Sequence, residues 1–145
     1  MGTVKWTDGI RKAKESEIRR VEQFFKVQFP DDYREFVKNS RGGKPSPQEI
    51  KVKGRSSPFM VRTLLNFKPG DDYYLLENYD WIKDRLASGL VPIASDPGGN
   101  YLATGEPSIV YWDHESDQRK KKPFLHVASS FTEFVDNLRD YSDDE

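Results

Sequence analysis

Three short runs in the second half of the chain restrict the fold more than any other feature. Residues 90–94, 100–104 and 109–113 are rich in branched and aromatic side chains and follow one another at short intervals. That is the spacing of an antiparallel meander, in which each strand pairs with the next through a tight connection. The first connection reads Asp96-Pro97-Gly98-Gly99-Asn100. Its paired glycines permit positive φ and close backbone approach, and Asp96 and Asn100 flank them with short polar side chains. Gly105-Glu106-Pro107-Ser108 supplies the second turn, and residues 126–128 read as a last short strand.

Helical periods surround this region. Over residues 15–26, Ile18, Val21, Phe24 and Phe25 recur at i, i+3, i+6 and i+7, with Glu17, Arg19, Arg20 and Glu22 on the other face. Pro30 interrupts the pattern. Asp31 or Asp32 is then expected to cap a second helix, with Asp32 and Glu35 at capping-box spacing. Tyr33, Phe36 and Val37 form its apolar stripe, and Gly42-Gly43 is read as a structural turn that ends it with a left-handed residue. Residues 44–58 read as loop around one short strand, Ile50-Lys51-Val52, and residues 61–67 as a second strand candidate. Residues 74–86 keep a helical period through Leu75, Leu76, Tyr79, Ile82 and Leu86. Ser130 and Glu133 form another capping box, opening a helix whose Phe131, Phe134, Val135, Leu138 and Tyr141 face inward. Helices at both chain ends with strands between them predict a single α+β domain over residues 15–141, an antiparallel sheet with the terminal helices packed on it. Residues 1–14 are read as a loosely held arm and 142–145 as a disordered tail.

A chain of 145 residues buries about 70% of its unfolded surface as one domain. Nine Phe, seven Tyr and three Trp supply bulk for its core. The absence of cysteine excludes disulfides and thiol-based metal or redox chemistry. No apolar run approaches the ~18 residues that span a bilayer, so a cytoplasmic protein without membrane contact is expected. Net charge is −1, but it is unevenly spread: residues 41–68 carry seven Lys/Arg and one acid, and residues 71–117 ten acids and two basic residues. Such blocks imply faces of opposite sign that steer charged partners, or well-solvated surface. The basic run Arg119-Lys120-Lys121-Lys122 reads as a solvated hairpin tip. A pI near 6.2 argues against direct nucleic-acid binding.

Two constellations are candidates for function. Asp96, Gly98, Gly99 and Asn100 form either a self-bonded turn or a contact loop, with Gly98 and Gly99 read as structural turn residues and Gly99 structural in either case. Trp112, Asp113, His114, Glu115 and Asp117 form either a solvated strand end or a recognition patch, because aromatic residues dominate interface hot spots. A metal site finds little support: the calcium-loop pattern is absent, and His126 is the only other histidine. No nucleophile elbow, triad motif or phosphate-binding loop is present, so neither catalysis nor a cofactor is expected. Tyr73, Tyr74, Tyr79 and Trp81 stand open between core and surface.

Four ordered strings carry a resemblance. Ile18…Val21-Glu22…Phe29-Pro30-Asp31-Asp32-Tyr33-Arg34-Glu35-Phe36…Gly42-Gly43 resembles the opening signature of the SUKH superfamily, of the Smi/Knr type. Pro92-Ile93-Ala94-Ser95-Asp96-Pro97-Gly98-Gly99-Asn100 resembles its second block, and Val110-Tyr111-Trp112-Asp113-His114-Glu115 its third. Val127-Ala128-Ser129-Ser130-Phe131-Thr132-Glu133-Phe134 resembles the closing block. One departure stands in the first string, where Arg41 separates Asn39-Ser40 from the two glycines. The resemblance implies a non-enzymatic α+β protein. Bacterial members of this family are typically immunity proteins that neutralise toxin domains, often nucleases, and other relatives are interaction or regulatory proteins.

The expectation is therefore a cytoplasmic immunity protein that occludes a cognate toxin domain, a nuclease by preference. An acidic face would match the basic cleft of such a toxin. Asp96, Asn100, Asp113, Glu115 and Asp117 are the expected partner-binding residues, with Trp112 as apolar anchor. An endogenous interaction module without a toxin partner is the alternative, and small-ligand or metal binding the third class. Oligomeric state is left open.

Overall fold

The computed structural model describes residues 4–86, 89–105, 108–113 and 124–140. The meander forms as its spacing predicts. Strands β6 (Val91–Ser95), β7 (Tyr101–Gly105), β8 (Ser108–Trp112) and β9 (Phe124–Ala128) pair in sequence order, and β5 (Thr63–Leu64) joins the β6 edge to make a five-stranded antiparallel sheet. Pro92 offers no N–H to the ladder, and the register shifts between Pro92 and Ala94 where β6 meets β7. A bulge is the usual way for a strand to absorb an interior proline.

Alternation along the β7–β8 register puts Tyr101, Ala103, Val110 and Trp112 on one face and Leu102, Thr104, Ile109 and Tyr111 on the other. Both faces are buried. Helix α3 (Leu75–Ile82) covers the first face, where the Tyr101 hydroxyl donates to Asn78 Oδ1 at 2.9 Å. On the second, Phe59 packs edge-on against Tyr111 with ring centroids 5.8 Å apart. Helix α4 (Phe131–Asp136) packs on β8 and β9 and carries α2 (Asp31–Asn39) through ring contacts of Phe131 with Tyr33 and Phe36. The Ser130 side chain caps α4 by accepting the Glu133 N–H at 3.1 Å. Helices from both chain ends thus sit on the sheet as expected, with Leu138 closing the core after α4. Tyr141 and the tail lie outside the described residues.

Several local expectations are corrected. Residues 5–7 are not a loose arm: they form β1 (Lys5–Thr7), which pairs with β2 (Lys44–Ser46). Trp6 packs on Phe36 with centroids 5.1 Å apart, and that contact ties the segment down. The strand at 50–52 shrinks to β3 (Glu49–Ile50), paired with β4 (Phe59–Met60), which lies between the loop read at 44–58 and the strand candidate at 61–67. Helix α1 (Glu15–Phe25) buries Ile18 and Val21 but leaves Phe24 exposed, and it buries Glu22 from the face expected to be solvated. Asp32 does not cap α2. Its Oδ2 instead accepts the Thr132 N–H and hydroxyl of α4, each at 2.9 Å. Gly42 and Gly43 hold φ of 66° and 95° two to three residues beyond the extended C-cap Ser40, turning the chain into β2.

Glu22 has a clear reason to be inside. Its carboxylate accepts the Phe29 N–H at 2.8 Å and two Arg34 bonds at 2.9 and 3.1 Å, so it joins α1 to the turn before α2. The Arg34 bonds hold its pKa below the ordinary carboxylate range against the opposing effect of burial, and the Phe29 N–H adds to them.

Candidate functional site

The end of the sheet where β6 leaves and β7 begins carries Asp96, Asn100, Trp112 and Asp113 of the expected site residues. Asp96 closes the turn on itself. Its Oδ1 accepts the Gly98 and Asn100 N–H groups, each at 2.8 Å, and its Oδ2 accepts Asn100 Nδ2 at 2.9 Å. The Asp96 N–H also donates to the Asn100 carbonyl at 3.0 Å. Asn100 is buried. Within the loop only Gly99, at φ 90°, requires a left-handed residue, whereas a Cβ on Gly98 would meet nothing closer than 3.6 Å. The self-bonded turn is thus the arrangement present, with the Asp96 carboxylate committed to its own backbone.

Trp112 does not serve as an exposed anchor in this chain. It is 1% exposed, with the Arg85 guanidinium 5.8 Å from its ring centroid and Tyr101 beside it at 6.2 Å. The physical reason is the second cover of the sheet: α3 and the turn after it lie over the face on which Trp112 stands. Asp113 sits at the end of β8 and accepts the Tyr111 hydroxyl at 3.3 Å. The Tyr111 phenol is pushed up to about 12, first by burial, with Arg55 opposing the rise from 4.7 Å above the ring. Burial likewise raises Tyr101, and the Asp96 charge adds to the effect. Glu115 and Asp117, with His114 and the basic run at 119–122, lie outside the described residues. Among the described residues no three His, Cys, Asp or Glu converge on a common point.

An exposed aromatic does stand nearby, on α3. Asn78 anchors this helix: its amide donates to the Asp72 and Tyr74 carbonyls at 3.2 and 3.0 Å while its oxygen takes the Tyr101 hydroxyl. With Leu75, Asn78 and Ile82 turned inward, helical periodicity turns Glu77, Asp80 and Trp81 outward. Trp81 is 63% exposed. Glu77 lies one turn before it, and Asp84 follows at i+3, so the tryptophan stands within an acidic stripe. Asp80 is paired with Lys83 at 2.8 Å. At the other side of α3, Tyr79 packs edge-on with Phe25 and with Phe24, which is 57% exposed. The sequence carried a signal for this surface: Trp81 falls outside the apolar stripe of Leu75, Leu76, Tyr79, Ile82 and Leu86. Chemically, the face offers a large exposed apolar ring with Glu77 one turn before it, Asp84 just past the helix end and the Asp80–Lys83 ion pair beside it, suited to contact with a protein surface carrying basic groups.

No helix of the described residues is long and apolar enough to cross a membrane. The sequence profile described as the SMI1/KNR4 family (SUKH-1) matches residues 12–137. The chain is 31% identical over 144 residues to the SPbeta prophage-derived uncharacterized protein YokK of Bacillus subtilis (strain 168), covering 86% of this chain and 73% of that one. A crystal structure of a protein from Pseudomonas syringae pv. tomato is similar in fold, with a TM-score of 0.56 and 17% identity, covering 92% of this chain and 87% of the other.

Proposed function

The chain belongs to the SMI1/KNR4 family (SUKH-1), and from that premise we propose that it is an immunity protein, which binds a cognate toxin domain in the cytoplasm and blocks its active site. The protein acts by binding and not by turnover. The observation that carries the reading is the outward face of α3, where Trp81 is 63% exposed between Glu77 and Asp84. Tryptophans account for a large share of interface hot spots, and a surrounding acidic field raises association rates with basic partners while penalising wrong ones. A nuclease toxin, which grips a polyanion through a basic cleft, is the partner this charge fits best.

Co-expression with the C-terminal domain encoded by the neighbouring gene, reading growth and co-purification together, tests this reading. Rescue with a stable complex is the expected result. Trp81→Ala should then weaken the complex at least about tenfold while leaving the free protein folded. Glu77→Gln with Asp84→Asn should slow association and flatten its salt dependence. Toxicity without rescue or binding would overturn the immunity role in favour of an endogenous interaction module.

A further inference from the structure

The basic block at 41–68 takes no part in the α3 face, yet three of its exposed cations line one cleft. This cleft of about 250 Å³ lies between the turn after β1, the Gly42-Gly43 turn and β5, and Arg41, Lys44 and Arg62 line it with Asp8 as the single acid. None of the three cations has a carboxylate within ion-pair distance among the described residues.

Its walls are set by close packing. Gly43 holds φ 95°, and a Cβ there would overlap the Thr7 carbonyl oxygen. A Cβ on Gly9 would stand 2.5 Å from the Arg41 carbonyl oxygen. Those two glycines let the backbone that carries Arg41 and Lys44 lie directly against Asp8. The opposite wall is Tyr73, held by Asp71, whose Oδ2 accepts the Tyr73 N–H at 3.0 Å and Asn66 Nδ2 at 2.5 Å. The Arg62 guanidinium lies 5.6 Å from the Tyr73 ring centroid. Leu64 and Ile10 complete the lining with apolar surface.

We propose that this cleft binds a small phosphate monoester, with the phosphate among Arg41, Lys44 and Arg62 and the organic part against Tyr73 and Ile10. Three cations against Asp8 leave the lining residues a charge of +2, with the Asp71 carboxylate turned to Tyr73 N–H and Asn66 behind the wall, so the cleft favours an anion. A concave wall focuses that field more than flat surface does. Guanidinium groups bind phosphate oxygens through two parallel N–H bonds, and two of the three cations are arginines. The volume admits a phosphate with a modest organic group.

Amide NMR titration of the full chain at constant ionic strength tests the site, with inorganic phosphate, adenosine 5′-monophosphate and succinate as probes. Saturable shifts confined to Gly9, Gly42, Gly43, Lys44 and Tyr73 are expected with both phosphates, stronger with the monoester, and at least about tenfold weaker in Arg62→Gln. Lys68→Gln, in the same basic block but outside the cleft, should bind as the parent does. Linear, unsaturated shifts would overturn the proposal. Equal binding of succinate would reduce the site to a general dianion attractor and refute its phosphate character. Unchanged affinity in Arg62→Gln would refute the location. Each readout is independent of toxin co-expression, so failure here leaves the immunity reading where it stands.

Discussion

Replacing Glu22 by alanine removes the carboxylate that joins α1 to α2, and the bonds it makes set the size of the loss. The substitution strands the Phe29 N–H, now satisfied at 2.8 Å. Leaving a buried donor unpaired costs about 1–3 kcal/mol. It also removes two bonds from Arg34, and breaking a buried pair costs about 3–5 kcal/mol when the surviving charge has no other partner. Arg34 does have one, Glu15, at 2.8 Å, so the upper range does not apply. The expected loss is about 2–3 kcal/mol in urea unfolding at neutral pH. Glu22→Gln keeps an oxygen for Phe29 and loses only the charge, so about 1–2 kcal/mol is expected. A cycle with Arg34→Met should return a coupling of about 1–2 kcal/mol. The pH dependence has a definite sign. Because the folded state holds the Glu22 pKa below its ordinary value, the contribution is complete above about pH 5 and is lost as pH falls through the folded value. Glu22→Ala should accordingly lose stability less steeply below pH 5 than the parent does. A loss under about 0.5 kcal/mol, or an acid profile parallel to the parent, would refute this account of the α1–α2 junction.

Three further outcomes follow from the same geometry. Asp96→Ala removes the three side-chain bonds that close the β6–β7 turn and leaves the backbone bond from Asp96 N–H to the Asn100 carbonyl, and should cost about 1–3 kcal/mol in urea unfolding. Gly43→Ala combines φ 95° with overlap on the Thr7 carbonyl. It should destabilise by about 2–4 kcal/mol and release β1 from β2, seen as faster amide exchange over residues 5–7. Tyr111, pushed up to about 12, should contribute one tyrosine to the late part of an alkaline absorbance titration, a part that Tyr111→Phe reduces by one phenol without abolishing it, because burial raises Tyr33 and Tyr101 as well. Its raised folded value means that the associated stability is intact below about pH 10 and is lost as pH rises through the folded value. A single tyrosine phase near pH 10 would contradict the burial of that phenol.

Elements specified by neighbours in sequence were legible in it. The meander follows from runs of branched residues at hairpin spacing, and the 96–100 turn from an Asp that bonds the backbone two and four residues ahead. Helices α1, α2 and α4 follow from apolar residues three and four apart, with Ser130 capping the last. Each of these depends on chemistry within one or two turns of chain. The small strand pairs were hidden because β1 and β2 lie almost forty residues apart, and two or three residues carry no period of their own. Glu22 looked like a solvated residue because its partners, Arg34 and the Phe29 N–H, are brought to it only when α2 folds back. The largest difference concerns the aromatic anchor. In sequence, Trp112 among acids reads as the exposed anchor, while Trp81 in a helical run stands open between core and surface. Alternation along β8 fixes which sheet face Trp112 occupies but not whether that face is covered. Docking of α3 through Asn78 and Tyr101 decides this, burying Trp112 and turning Trp81 outward, because burial is a property of what packs against a residue and not of the residue itself.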